Sequence, residues 1–321
     1  MTEPLRWGII STGGIARTFA NDLQFTDSGV AVAVGSRTIE AANRFGERFD
    51  IARRYATYEE LVSDPDVDAV YIGTPHPMHF ENAKLALESG KPVLVEKAFT
   101  MTEREAIDLV EIARDSSLFL MEAMWTRCLP HVAAVNELIA AGELGDIISV
   151  QADHGQYFDF DPTSRWFDPA LGGGALLDLG VYPVSFASML LGTPSKMVTM
   201  IDLAPTGVDQ QVSMIFGYDG GAQAYLNTTS SAKTPTTATI SGTKARIEID
   251  GDFYAPSAFT LITRAGDSRR FEFATQGRGL HFEAAEVARC VRSGLTESPL
   301  MPLDETVSIM RTMESVLASA H

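Results

Sequence analysis

Positive charge is scarce in this sequence. Against 42 aspartates and glutamates stand 25 lysines and arginines, a net charge of −17, and a surface of that sign repels phosphate backbones and anionic lipid. Nucleic acid and membrane surfaces are therefore not expected partners, although backbone N–H groups and one or two local arginines can still hold a phosphorylated small molecule at short range. Cysteine is almost missing as well. Cys128 and Cys290 lie far apart and form no CxxC pair, which argues against a disulfide framework or thiolate metal site and for a reducing compartment. The first residues show no basic stretch leading into an apolar run, and no apolar segment is read as reaching the roughly 18 residues of a membrane span. A cytoplasmic location is the expectation. With 45% hydrophobic and 21% charged residues the chain is of average globular composition, and 321 residues suit two domains.

Residues 5–124 alternate short β-branched runs with helix-length amphipathic stretches: Trp7 to Ile10, Val30 to Val34, Ala69 to Ile72, Val93 to Val95 and Leu118 to Met121. Nearly continuous apolar strands spaced by helices predict a parallel sheet covered on both faces, a doubly wound Rossmann domain over 1–124. Ligands of such a sheet bind beyond the carboxyl ends of its strands, so Ser11, Arg37, Thr74 and Glu96, each just past a run, are expected to share one crevice. From residue 125 to 321 the rhythm predicts an α+β domain. It has a helix near 131–141, a strand near 147–157, and a helix from the glycines at 172–174 to about Leu191. A large, mostly antiparallel open sheet between Lys196 and Phe273 follows, then helices near 280–293 and 304–319, the last expected to pack back on the first domain.

After the first run comes Gly8-Ile9-Ile10-Ser11-Thr12-Gly13-Gly14-Ile15-Ala16, a dinucleotide fingerprint with Ser11 in the first glycine position. Gly13 lets a backbone approach a pyrophosphate, and the helix opening at Gly14 and Ile15 presents its N–H groups and positive end. About 20 residues later, where an NAD enzyme places an acid on the ribose, stand Ser36, Arg37 and Thr38. Arg37 offers a cationic fork for a 2′-phosphate, and the flanking hydroxyls add donors. NADP(H) is the expected cofactor, with NAD(H) open. The competing reading of Arg37 is a solvated residue at a helix start.

Past Ile72 comes Gly73-Thr74-Pro75-His76-Pro77-Met78-His79, and past Val95 comes Glu96-Lys97-Ala98. Together with Met121 to Arg127 and Gly173 to Tyr182, these resemble the Gfo/Idh/MocA family of oxidoreductases, in the branch of the dimeric dihydrodiol dehydrogenases and NADP-dependent D-xylose 1-dehydrogenases. Two departures are visible: Ala98 replaces the proline of E-K-P, and Asp178-Leu179-Gly180-Val181-Tyr182 carries tyrosine where many members of the family have histidine. The resemblance implies Tyr182 as acid/base, Lys97 as its electrostatic partner and Asp178 in support, with Thr74, Pro75, His76, His79, Glu96 and Lys97 beside the cofactor. It also implies a homodimer formed through the open sheet.

The residues make the same roles plausible. Asp178 and Tyr182 are four apart on an expected helix and share a face. A tyrosine with pKa near 10 is a poor base unless an ammonium favours its phenolate. Trp125, Arg165 and Trp166 are candidates for the substrate wall, and plain core is the other reading of the aromatics. His76 and His79 lack a third ligand of matching spacing, so no metal is expected. The functional expectation is hydride transfer between the nicotinamide and a small polyhydroxylated substrate, a sugar or a vicinal diol. Two other readings are an NADP(H)-binding sensor or scaffold without turnover, and a glycosidase that cycles its cofactor.

Overall fold

The computed structural model describes residues 3–319. The chain forms two compact units: one joins the chain up to Cys128 with Thr275–Val307, and the other joins Leu129–Ala274 with the chain from Ser308 on.

In the first unit β1 (Leu5–Ile10), α1 (Gly14–Asp22), β2 (Gly29–Gly35), α2 (Ile39–Phe49), β3 (Arg53–Tyr55), α3 (Tyr58–Val62), β4 (Ala69–Ile72), α4 (His79–Glu88), β5 (Val93–Glu96), α5 (Glu103–Asp115) and β6 (Leu120–Ala123) follow in order. All six strands are parallel, ordered β3-β2-β1-β4-β5-β6. The fold is the doubly wound α/β sheet expected from the sequence. β4, β5 and β6 are buried at every position, the signature of strands with helices on both faces. Chain order reverses between β1 and β4, and there the carboxyl ends of the strands open a crevice. β3, with the polar sequence Arg-Arg-Tyr, is the one strand of this sheet with no apolar run to announce it, and it sits at the edge.

The second unit contains α6 (Pro130–Ala140), β7 (Ile147–Gly155), a π-helical turn at Leu176–Gly180 that runs into α7 (Val181–Leu191), and the strands β8 (Lys196–Leu203), β9 (Asp209–Gly217), β10 (Gln223–Thr229), β11 (Ala238–Gly242), β12 (Ala245–Ile249), β13 (Phe259–Thr263) and β14 (Ser268–Phe271). Its eight-stranded sheet is ordered β14-β13-β12-β11-β7-β10-β9-β8 and is antiparallel except between β7 and β10. One face carries Val150, Ala152, Val212, Met214, Phe216, Ala224, Leu226, Ile240 and Ile247, all buried. The other exposes Val198 (67%), Met200 (77%), Ile215 and Tyr225.

The stretch Pro169–Leu191 has the length and hydropathy of a membrane-crossing helix, with a mean of 1.5, so the expectation that no segment reaches that apolarity fails. Since 78% of its most apolar window is buried inside the protein, its side chains serve as core, as those of a helix that is apolar all round do. The chain closes with α8 (Leu280–Arg292), which belongs to the first unit and packs on α1, and with α9 (Leu303–Ala318).

Candidate functional site

In the first unit the candidate residues gather at the carboxyl ends of β1, β2, β4 and β5. Ser11 adopts φ +112°, a backbone that L side chains seldom take and that glycine accepts freely. Its hydroxyl accepts the Gly13 N–H at 3.0 Å. Gly13 precedes α1, and a Cβ built on it would stand 3.2 Å from Ser11 Oγ, a tight contact that glycine avoids. Ala16 is fully buried, and a Cβ built on Gly73 would collide with the Tyr71 ring at 2.9 Å and touch Ala16 Cβ and Ile15 Cγ2 at 3.4 Å, the close helix–strand packing that the fingerprint requires. Thr12 Oγ1 and Ser36 Oγ lie 3.5 Å apart.

Arg37 is exposed, and its charge acts on the phenol of Tyr58. The Thr38 hydroxyl accepts the Ala41 N–H at 3.3 Å as the cap of α2, which leaves its own O–H available as a donor.

Beyond β4, Thr74 is buried and takes a hydrogen bond from Asn82 at 3.1 Å, while Pro75 is exposed at the start of a short helical turn. The ring of His79 is fully buried, with Nε2 at 2.8 Å from the Thr74 carbonyl and Nδ1 at 2.9 Å from the Ala98 carbonyl. His79 is thus a strut between two loops and presents no ring nitrogen to a ligand. Burial lowers its pKa against the pull of those carbonyls, and a neutral ring can donate to one of them only. His76 joins the same loops, its Nε2 at 3.2 Å from the Lys97 carbonyl. Among the described residues no three His, Cys, Asp or Glu side chains are grouped to hold a metal.

Glu96 ends β5 buried, accepting from the Tyr71 hydroxyl at 2.5 Å and from the Lys97 N–H at 3.2 Å. Behind it Glu122 accepts the Phe99 N–H at 3.1 Å; burial pushes its carboxyl up to about 7 against the charge of Arg127 and, to a smaller extent, Lys97. Lys97 is half-buried. Trp125, also buried, belongs to this first unit.

In the second unit Tyr182 opens α7 and Asp178 lies in the π-turn before it. The Tyr182 ring meets Tyr254 at 4.5 Å and His154 at 5.3 Å between centroids, and His154 stacks on Tyr254 at 4.3 Å. His154 Nδ1 reaches the Leu179 carbonyl at 3.2 Å, which ties β7 to the π-turn. Asp209 anchors that turn at its start: its carboxylate accepts the Leu176 N–H at 2.6 Å, and a Cβ on Gly174 would collide with it. Burial pushes the Asp209 carboxyl up to about 6, against the pull of backbone N–H groups. Arg165 lies 3.1 Å from Asp178 and 3.7 Å above the Trp166 ring, which itself stacks on Phe158 at 3.7 Å. Arg165, Trp166 and Asp178 therefore come together.

Several residues escaped the sequence reading. His154 had a faint signal, a polar side chain in the inward-facing series Val150, Ala152, His154; Tyr254 and Asp209 had none, because they join the site only through sheet pairing and loop packing. A third group lines a cavity of about 230 Å³ beside the Thr12 turn: Arg17, Arg44 and Arg48.

Comparison with known proteins agrees along the whole chain. Residues 5–124 match the oxidoreductase family model with an NAD-binding Rossmann fold, and residues 132–248 match the GFO/IDH/MocA C-terminal domain. The D-xylose 1-dehydrogenase (NADP(+)) of Hypocrea jecorina is 38% identical over 98% of this chain and 91% of its own. The trans-1,2-dihydrobenzene-1,2-diol dehydrogenase of Bos taurus is 37% identical over 97% of this chain and 96% of its own. Among solved structures, the aldose-aldose oxidoreductase of Caulobacter crescentus superposes with a TM-score of 0.89 at 25% identity, covering 99% of this chain and 97% of that one. A 3-ketoreductase from Actinomadura kijaniata in complex with NADP and TDP-benzene gives 0.84 at 26% identity, covering 98% and 97%.

Proposed function

The chain belongs to the Gfo/Idh/MocA family of oxidoreductases, and from that premise we propose that it is an NADP(H)-dependent dehydrogenase or reductase acting on a CH–OH group of a sugar or vicinal diol. The observation that carries the reading is the strand–turn–helix of β1, Ser11–Gly13 and α1, which brings the N-terminus of a helix to the carboxyl end of a strand in a doubly wound sheet. The residues fit the cofactor: Ser11, Thr12, Gly13, Gly14 and Ile15 for its pyrophosphate, Ser36, Arg37 and Thr38 for its ribose phosphate, Thr74, Pro75, His76 and Glu96 toward its other end. When bound, NADP+ would supply the hydride acceptor.

The protein's own part is proton management and positioning. Tyr182 takes the proton of the substrate hydroxyl in oxidation and returns it in reduction. The Lys97 ammonium favours its phenolate and steadies negative charge on the substrate oxygen. Asp178, held by Arg165, orients the substrate, and Trp125 and Trp166 supply apolar walls for its carbon face. His79 keeps the Thr74 and Ala98 loops in register.

The enzyme acts as a homodimer in the reducing cytoplasm, where Cys128 and Cys290 remain thiols. A second copy covers the exposed row Val198, Met200, Ile215 and Tyr225, an apolar stretch that a lone sheet would leave in water.

A panel of aldoses and vicinal diols, assayed for reduction of NADP+ and of NAD+, tests the reading. Turnover with NADP+ on at least one class is expected. Tight cofactor binding without turnover on any member would refute it in favour of a sensor.

A further inference from the structure

The cavity between α1 and α2 differs from the rest of this acidic surface. Thr12, Arg17, Ala41, Arg44, Phe45 and Arg48 line it, in a volume of about 230 Å³. In a chain with 42 acids and 25 basic residues, three guanidinium groups converge on one wall that holds no carboxylate. Arg44 and Arg48 stand one turn apart on α2, where like charges repel. Glu47, the acid between them, turns to Arg54 at 3.8 Å, and none of the three arginines has an ion-pair partner among the described residues. Arg17 spends one N–H on the Thr12 carbonyl at 2.9 Å; a guanidinium has five. A convergence of cations without an internal counter-charge is relieved by an anion from outside.

The charge count decides which anion. Three guanidinium groups exceed what one carboxylate can neutralise, whereas a phosphate monoester carries −1.5 to −2 and three strong acceptor oxygens that match planar N–H forks. The wall also adjoins the Ser11–Gly14 turn: Thr12 belongs to both, and its hydroxyl lies 3.5 Å from Ser36.

We infer that this cavity is a phosphate-monoester site in which Arg17, Arg44 and Arg48 recognise the 2′-phosphate of the cofactor and so choose NADP(H) over NAD(H). The inference rests on the proposed function and deepens it. Arg37 lies outside the cavity wall and alone would leave these three cations without a purpose. Free phosphate has the same chemistry, so it serves as the competing probe.

The test is a calorimetric titration of NADPH, NADH and inorganic phosphate into the wild type, Arg44→Gln/Arg48→Gln, Arg17→Gln and Arg37→Gln proteins. All four substituted side chains are exposed, so the variants fold. The double variant should bind NADPH about a hundredfold more weakly and NADH within about twofold of wild type, the loss of two charge-assisted contacts. Phosphate should compete with NADPH on the wild type and not on the double variant. The inference is overturned if the double variant keeps its preference for NADPH, if it loses both dinucleotides equally, or if phosphate binds the cavity without competing with NADPH. A wild type that binds neither dinucleotide would instead sink the proposed function, and with it the cofactor assignment of the cavity.

Discussion

Arg165 holds Asp178 at 3.1 Å while its guanidinium carbon sits 3.7 Å over the Trp166 ring, so one half-exposed guanidinium joins a buried carboxylate to an aromatic stack. The pair links the loop before the three glycines to the turn that leads into α7. Because the Arg165 side chain is 52% exposed, Arg165→Ala should cost only ~1 kcal/mol of stability. Its mark should fall on KM, which rises while kcat stays within about threefold, since the contact orients substrate before and during the reaction alike. Steady-state kinetics beside urea unfolding check both.

Tyr182→Phe keeps the ring and its packing on Tyr254 and His154 and removes only the hydroxyl. Turnover should fall by about 10²–10⁴, with NADPH affinity unchanged. An active variant would move the acid/base role to another residue.

The burial of Asp209 makes stability depend on pH. Between its ordinary 3.8 and its folded value of about 6, the native chain holds a proton that the unfolded chain has released. Stability therefore declines as pH rises through that window, by on the order of 3 kcal/mol. Asp209→Asn, which keeps an acceptor for the Leu176 N–H, should flatten the curve. Urea midpoints at pH 4, 5, 6 and 7 measure it; parallel curves would show that the carboxyl is ionised throughout.

Ser11 holds its φ of +112° at a cost and gains one hydrogen bond in return. Ser11→Ala keeps the strained backbone and loses the bond to Gly13, whereas Ser11→Gly loses the bond and relieves the backbone. The glycine variant should be the more stable of the two by ~1 kcal/mol. Equal melting temperatures would mean the turn carries no strain.

Met200→Asp/Ile215→Asp puts two charges on the exposed sheet face. If that face is the dimer contact, sedimentation should show the wild type at twice the mass of the variant, with the variant still folded by circular dichroism. A wild type that sediments as a monomer ends the proposal.

The parallel sheet was legible because its strands are buried on both faces and leave near-continuous apolar runs. β3 was not, because Arg53 and Arg54 at an edge need no apolar partner. The eight-stranded sheet could be read from alternation, but the parallel pairing of β7 with β10 could not, since period-two patterning gives the inward face of a strand and not its neighbour. Asp178 and Tyr182 could be placed on one helix; the π-turn that carries Asp178 depends on Asp209, a residue some thirty positions away that no local signal connects to it. His79 illustrates the limit from the other side. Its position beside Thr74 was readable, but which way its ring turns depends on the Ala98 carbonyl.

The place of β7 between β10 and β11 bears on how the chain leaves the ribosome. Both of its sheet neighbours are synthesised only after α7, β8 and β9, so the strand that bears His154 emerges with both edges bare. A product cut short between Gly155 and Gln223 exposes a long, half-apolar strand able to pair with other chains. Late truncations of this protein should therefore be more prone to aggregation than fragments that end at Cys128, whose parallel sheet already has all six of its strands.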